Sequence, residues 1–232
     1  VQTCALPICT MYGGLNRFNR EKQTFIHFKN NADNPNSISH NSVSCIIEDN
    51  EHNLWIGTKG GGLNKLSLAG KPKFSHYVFD KKNMNSVNSD NIYSLLVDSA
   101  GLLWIATDKG IAQYVKDCET KKFFYRYHFP LQDGAERLPV FDLFEKEKGK
   151  LWCATDGQGI WIFDNEKEMF SQQISTFDSL QTLNSDVVYS IFRDTKQQIW
   201  IGTDKGLSRL RQKYDTENLL FETYTSNYNE AY

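Results

Sequence analysis

Four of the five tryptophans, Trp55, Trp104, Trp152 and Trp200, stand 49, 48 and 48 residues apart, and the sequence around each is nearly the same. The copies read Leu54-Trp55-Ile56-Gly57-Thr58, Leu103-Trp104-Ile105-Ala106-Thr107, Leu151-Trp152-Cys153-Ala154-Thr155 and Ile199-Trp200-Ile201-Gly202-Thr203. Each keeps Trp, an apolar residue, a small residue and Thr. Self-similarity at a fixed period of this size means an array of like supersecondary units, none of which can bury its apolar face alone. The array also explains why aromatic residues reach 13% of the chain.

Each unit reads as four short strands. The first is an apolar run (Val43 to Ile47, Ile92 to Val97, Val140 to Phe144, Val187 to Phe192) and ends in a polar turn. Asp49, Asp98 and Asp194 stand six residues before the tryptophan in three copies, and Lys146 takes that place in the third. An Asp opening a tight turn bonds backbone amides two residues on, so these aspartates are expected to shape the hairpin. The tryptophan strand follows, then a glycine-bearing turn, a third strand and a polar hairpin. A fourth strand rich in Phe and Tyr closes the unit (Phe74 to Phe79, Phe123 to Phe129, Met169 to Ile174, Phe221 to Tyr224). No window holds helical periodicity over three turns. Four antiparallel strands per unit predict an all-β fold, a β-propeller of four-stranded blades. In that fold the repeated Trp55, Trp104, Trp152 and Trp200, Thr58, Thr107, Thr155 and Thr203, and Asp49, Asp98 and Asp194 are scaffold residues, because a ligand has no need of them in every blade.

The predicted organisation is a non-native leader at 1–9, a half blade at 10–28, blades at 41–80, 90–129, 138–175 and 186–225, and the start of a link at 226–232. The leader is inferred because aligning Gly14-Leu15-Asn16 with Gly62-Leu63-Asn64 puts Leu6-Pro7-Ile8-Cys9 where Leu-Trp-Ile-Gly is expected. Pro there removes a ladder donor from a central strand, and Val1 to Ile8 is similar to a translated sequencing adapter. On this view the chain is an incomplete arc of a ring. An arc would leave sheet edges and apolar faces open and would be poorly soluble.

Lys plus Arg at 26 against Asp plus Glu at 28 gives a net charge of -2. Without a basic run, no nucleic-acid contact is expected. No apolar stretch reaches the roughly 18 to 20 residues needed to cross a bilayer as a helix. His27, His40, His52, His76 and His128 lack ligand spacing and the five cysteines form no CxxC, so neither a metal nor a cofactor is expected. No Gly-rich phosphate loop, GxSxG or HExxH is present. One enzymatic alternative stays open: an Asp turn before a Trp is similar to the Asp-box of sialidase-type propellers, glycan-cleaving enzymes that need an arginine cluster at the ring centre. Arg17, Arg20, Arg126, Arg137, Arg193, Arg209 and Arg211 fall mostly on third-strand or turn positions, so the fragment is read as non-catalytic.

The run from Asn36-Ser37-Ile38 to Asn64-Lys65-Leu66 resembles the two-component regulator propeller repeat, as do Asn85-Ser86-Val87 to Tyr114 and Asn184-Ser185-Asp186 to Leu210. The third copy departs, with Gln132 to Pro139 in place of the Asn-Ser link. The resemblance implies seven-bladed rings in the periplasmic sensor region of hybrid histidine kinases of the Bacteroidetes type. It further implies a homodimeric inner-membrane parent that detects an oligosaccharide, with neighbouring blades as the fragment's other partners and the kinase chemistry elsewhere.

For ligand binding, the informative residues are those that break the repeat. Asp133, Glu136 and Arg137 lie in the aberrant link, and Trp161 stands where other units have Asn16, Asn64, Ala112 or Ser208. An aromatic platform for a sugar ring, with polar groups for hydroxyls or a uronate carboxylate, is the chemistry this set offers. Two alternatives remain open: that Trp161 fills space against a neighbouring blade, and that the propeller is an interaction scaffold with no small ligand.

Overall fold

Trp55, Ile56, Gly57 and Thr58 are all buried, and so is every residue from Leu103 to Thr107. A strand is apolar along its whole length when both of its faces are covered, and the first three tryptophan strands have that character. The computed structural model describes residues 5–67, 72–116, 122–131, 137–175, 182–211 and 219–225, and these residues form an all-β fold with no helix.

β1 (Ala5–Thr10), β2 (Gly14–Asn19) and β3 (Thr24–Phe28) make a three-stranded sheet. Four four-stranded sheets follow, each antiparallel with its strands in chain order. The first holds β4 (Val43–Glu48), β5 (Leu54–Thr58), β6 (Leu63–Ser67) and β7 (Lys73–Tyr77); the next holds β8 (Ile92–Val97), β9 (Leu103–Thr107), β10 (Gly110–Lys116) and β11 (Lys122–Tyr127). Then come β12 (Val140–Glu147), β13 (Lys150–Thr155), β14 (Ile160–Asp164) and β15 (Met169–Gln173), and finally β16 (Val188–Arg193), β17 (Ile199–Thr203), β18 (Gly206–Arg211) and β19 (Leu220–Tyr224). Residues 5–9, read from the sequence as part of a leader, lie in β1, where Pro7 pairs opposite Arg17. The fourth strands stop short of Phe79 and Phe129, which lie in the links.

The chain divides into two compact units, Val1–His128 and Phe129–Tyr232. In the first, Leu15 packs with Ile38, Val43, Ile56, Leu66 and Phe74, and Trp55 and Leu63 pack with Val87, Ile92, Leu95, Leu103, Ile105 and Phe124. In the second, Trp152 and Ile160 pack with Leu183, Val188, Ile191, Ile201 and Phe221. The interface rule is the same each time. The inner-strand face of one sheet, with its tryptophan where it has one, meets the link, the first strand and the fourth-strand Phe of the next. Leu207 is 46% exposed, whereas Leu63 and Ile160, which hold its place in their sheets, are fully buried.

The hairpins before three of the tryptophans are built identically. Asp49 Oδ1 accepts the amides of Glu51 and Asn53, both at 2.9 Å, and its Oδ2 accepts the Trp55 indole N–H at 2.7 Å. Asp98 does the same with Ala100, Leu102 and Trp104, and Asp194 with Lys196, Gln198 and Trp200. In the third hairpin the Lys146 ammonium lies 5.5 Å from the Trp152 ring centroid, and Glu145 accepts the Gly149 amide. The repeated threonines close the following turn. Thr58, Thr107, Thr155 and Thr203 donate to the carbonyls of Gly62, Gly110, Gly159 and Gly206.

The Asn-Ser links fold by the same means. Ser37 Oγ donates to Asn31 O and accepts the Asn31 amide, and Ser86 does so with Asp80. The link then covers the edge of the fourth strand: the amides of Phe74 and Phe124 donate to Asn36 O and Asn85 O. Such cover is one way in which a sheet edge is kept from pairing with another chain. His76 Nε2 donates to Ser37 O, and the Arg126 guanidinium donates to Ser86 O and Ser86 Oγ.

Candidate ligand-binding site

The first strand of every four-stranded sheet carries one extra residue near its start. Register with the tryptophan strand slips between Val43 and Cys45, Ile92 and Ser94, Val140 and Asp142, and Val188 and Ser190. Ser44, Tyr93, Phe141 and Tyr189 therefore sit on bulges, which bend a strand and re-aim the side chain they carry. Three of the four are aromatic.

In the first unit the Lys59 ammonium stands 5.6 Å from the Tyr93 ring centroid, a cation–π arrangement. In the second, the rings of Phe141 and Tyr189 have centroids 5.6 Å apart and are tilted by 46°. Tyr189 is 51% exposed although Val188 beside it is fully buried. The two strands that carry these rings are fastened on both sides. Asp142 Oδ2 accepts the Ile191 amide at 3.0 Å, and Arg193 Nη2 donates to Lys146 O at 2.7 Å while its guanidinium covers the Phe144 ring.

Arg137 is exposed and leads into β12. Pro139, two residues on, has its carbonyl bonded by the Asp156 amide at 3.1 Å, which fixes this segment against the β13–β14 turn. Asp133 and Glu136 lie outside the described residues. Trp161 is on β14 and only 6% exposed, packed edge-on against Phe129 and Phe170. Its buried Nε1 has no hydrogen-bond partner among the described residues. In the sheet of β4 to β7 the same place holds Asn64, which accepts the Ser39 amide and donates to the Ser39 hydroxyl, while Ser208 donates to Asn184 Oδ1. A polar residue there ties the link to the third strand. Where the Asn-Ser link is missing, Trp161 substitutes apolar packing for that tie.

The links contain a further repeated residue that the motif had not marked. Asn41, Asp90 and Asp186 accept the amides of Gly14, Gly62 and Gly159 on their carbonyls and the amides of Asn30, Phe79 and Ser175 on their side chains. Each thereby locks a turn of one sheet to the link of the next, at the end where the bulged aromatics stand. Among the described residues, no group of three or more His, Cys, Asp or Glu side chains is placed to hold a metal ion.

Two of the hairpin aspartates have shifted carboxyls. The Trp200 indole, followed by the Gln198 and Lys196 amides, holds the Asp194 carboxyl below its ordinary range despite some desolvation. At Asp49 desolvation raises the value, and the bonds from Trp55, Asn53 and Glu51 outweigh it, for a net lowering.

Residues 37–60, 86–109 and 182–205 match the two component regulator propeller family. Three stretches of the chain are thus similar to two-component regulator propeller repeats. Two of these propeller repeats lie in the first unit and one in the second, and each runs from an Asn-Ser link through the tryptophan strand. Histidine kinase P4 of Formosa agariphila is 29% identical over 206 residues, which cover 84% of this chain and 14% of the kinase. The extracellular domain of a hybrid two-component system from B. thetaiotaomicron superposes with a TM-score of 0.73 at 24% identity, over 94% of this chain and 28% of that one. A second such domain from the same organism gives 0.72 at 21% identity, over 93% and 27%. At these identities the structural likeness shows the fold. The chain thus spans a small part of each relative, and no helix among its described residues is long and apolar enough to cross a membrane.

Proposed function

We propose that this chain is a ligand-sensing part of a hybrid two-component receptor, lying outside the cytoplasm and detecting an oligosaccharide whose binding is relayed to a histidine kinase on the same polypeptide. The observation that carries this reading is the alignment of most of the chain with a protein named as a histidine kinase, beside three stretches that match the regulator propeller model. The extracellular domains that share the fold support its placement in the periplasm. Neighbouring blades and a second copy of the receptor are its expected protein partners. The repeats serve as scaffold, and sensing belongs to the side chains that vary between blades, Arg137 and the segment holding Asp133 and Glu136 among them, with Trp161 as internal support.

Glycan-array binding by the 232-residue protein tests the ligand class. Saturable binding to one family of neutral or acidic hexose oligomers is expected. A flat array across plant, algal and microbial polysaccharide fragments would defeat the glycan reading and leave a scaffold role.

A further inference from the structure

We infer that Phe141 and Tyr189 form a stacking platform for a hexopyranose ring, a binding position distinct from the aberrant link; the inference rests on the glycan reading above. Phe141 and Tyr189 are the bulged residues of β12 and β16, and the bulge is what takes them out of the alternation that buries Val140, Leu143, Val188 and Ile191. The ring centroids are 5.6 Å apart with the planes inclined at 46°, and Tyr189 is half exposed.

The two strands that carry the platform are fastened to each other. The Asp142 carboxylate beside Phe141 is engaged by the Ile191 amide, and Arg193 bridges to the Lys146 carbonyl at the far end of the same strand pair. A preorganised site of this kind loses little freedom on binding. The ligand class follows from the surface offered. An aromatic face accepts the axial C–H groups of a pyranose, and the Tyr189 hydroxyl adds a donor and acceptor for the ring's hydroxyls.

The test takes whichever array glycan the wild-type chain binds and measures its affinity by calorimetry for Tyr189→Ala, Phe141→Ala, Tyr189→Phe and a control, Phe192→Ala. Phe192 is an exposed aromatic on the same strand that lies off the bulge. Loss of a stacking ring should weaken binding about tenfold for each platform alanine variant. Tyr189→Phe should stay within about threefold of wild type and Phe192→Ala should match it. Melting temperatures identify any variant that fails to fold, and Tyr189→Leu, which keeps apolar bulk but no aromatic face, then carries the comparison and should also weaken binding about tenfold. If the wild-type chain binds a glycan and Tyr189→Ala binds it equally well, the platform is wrong while the glycan reading stands. If the wild-type chain binds no glycan, both fall.

Discussion

The indole N–H of Trp55 donates to Asp49 Oδ2 at 2.7 Å, across six residues of chain. The other oxygen of that carboxylate closes the hairpin through two amides, so one side chain both makes the turn and satisfies the only polar atom of a tryptophan that is 1% exposed. Removing it leaves a buried donor unpaired, which costs roughly 1 to 3 kcal/mol. Asp49→Ala is therefore expected to lower the unfolding free energy by about 2 kcal/mol in urea titrations followed by tryptophan fluorescence. Lys146→Ala, at the same place in the third hairpin, should change it by less than about 1 kcal/mol.

The same carboxylates give the fold an acid limit. Asp49 and Asp194 both titrate below their ordinary value in the folded chain. A depressed folded pKa means that the unfolded state takes up protons first. The contribution is complete above the unfolded value of about 3.9 and is lost as pH falls through the lower folded value. Melting temperature should fall below about pH 4, and Asp194→Asn should flatten that fall relative to wild type.

How much of this was legible in the sequence differs from residue to residue. The tryptophan period showed the blades, and the constant spacing of Asp49, Asp98 and Asp194 marked the hairpins. That spacing could not reveal the indole bond, because only the folded hairpin brings the sixth residue back over the first. The platform was less visible still. A bulge adds one residue without changing composition, so Phe141 and Tyr189 read as ordinary members of an apolar run. Their one signal was an aromatic side chain at the same point of three successive first strands, Tyr93 included. Trp161 stood out because it broke the repeat, yet the fold buries it against Phe129 and Phe170.

Two glycines of one turn should respond unequally. Gly159 has a φ of +66°, and a Cβ there would lie 2.1 Å from the Gln173 carbonyl oxygen, whereas Gly157, at +81°, would meet nothing within 4 Å. Gly157→Ala should cost about 1 kcal/mol of backbone strain. Gly159→Ala should cost more than about 3 kcal/mol, since the backbone of β15 has to move; denaturant midpoints of the two variants check the ordering.

Cys153 lies fully buried in the third tryptophan strand, and burial pushes its thiol far above the ordinary range. The thiolate is the reactive form. Iodoacetamide at neutral pH should leave Cys153 unmodified in the native protein and alkylate it in urea, as peptide mass mapping would show.

The account rests most heavily on coupling between a bound glycan and a kinase. The direct measurement is phosphate incorporation by the receptor that contains these repeats, reconstituted in vesicles with the propeller on the outer side, before and after a glycan bound by the isolated chain is added outside. A saturable change in phosphorylation, shifted about tenfold to higher glycan concentration by Tyr189→Ala, is the predicted result. Phosphorylation that stays the same at glycan concentrations saturating the propeller would contradict it.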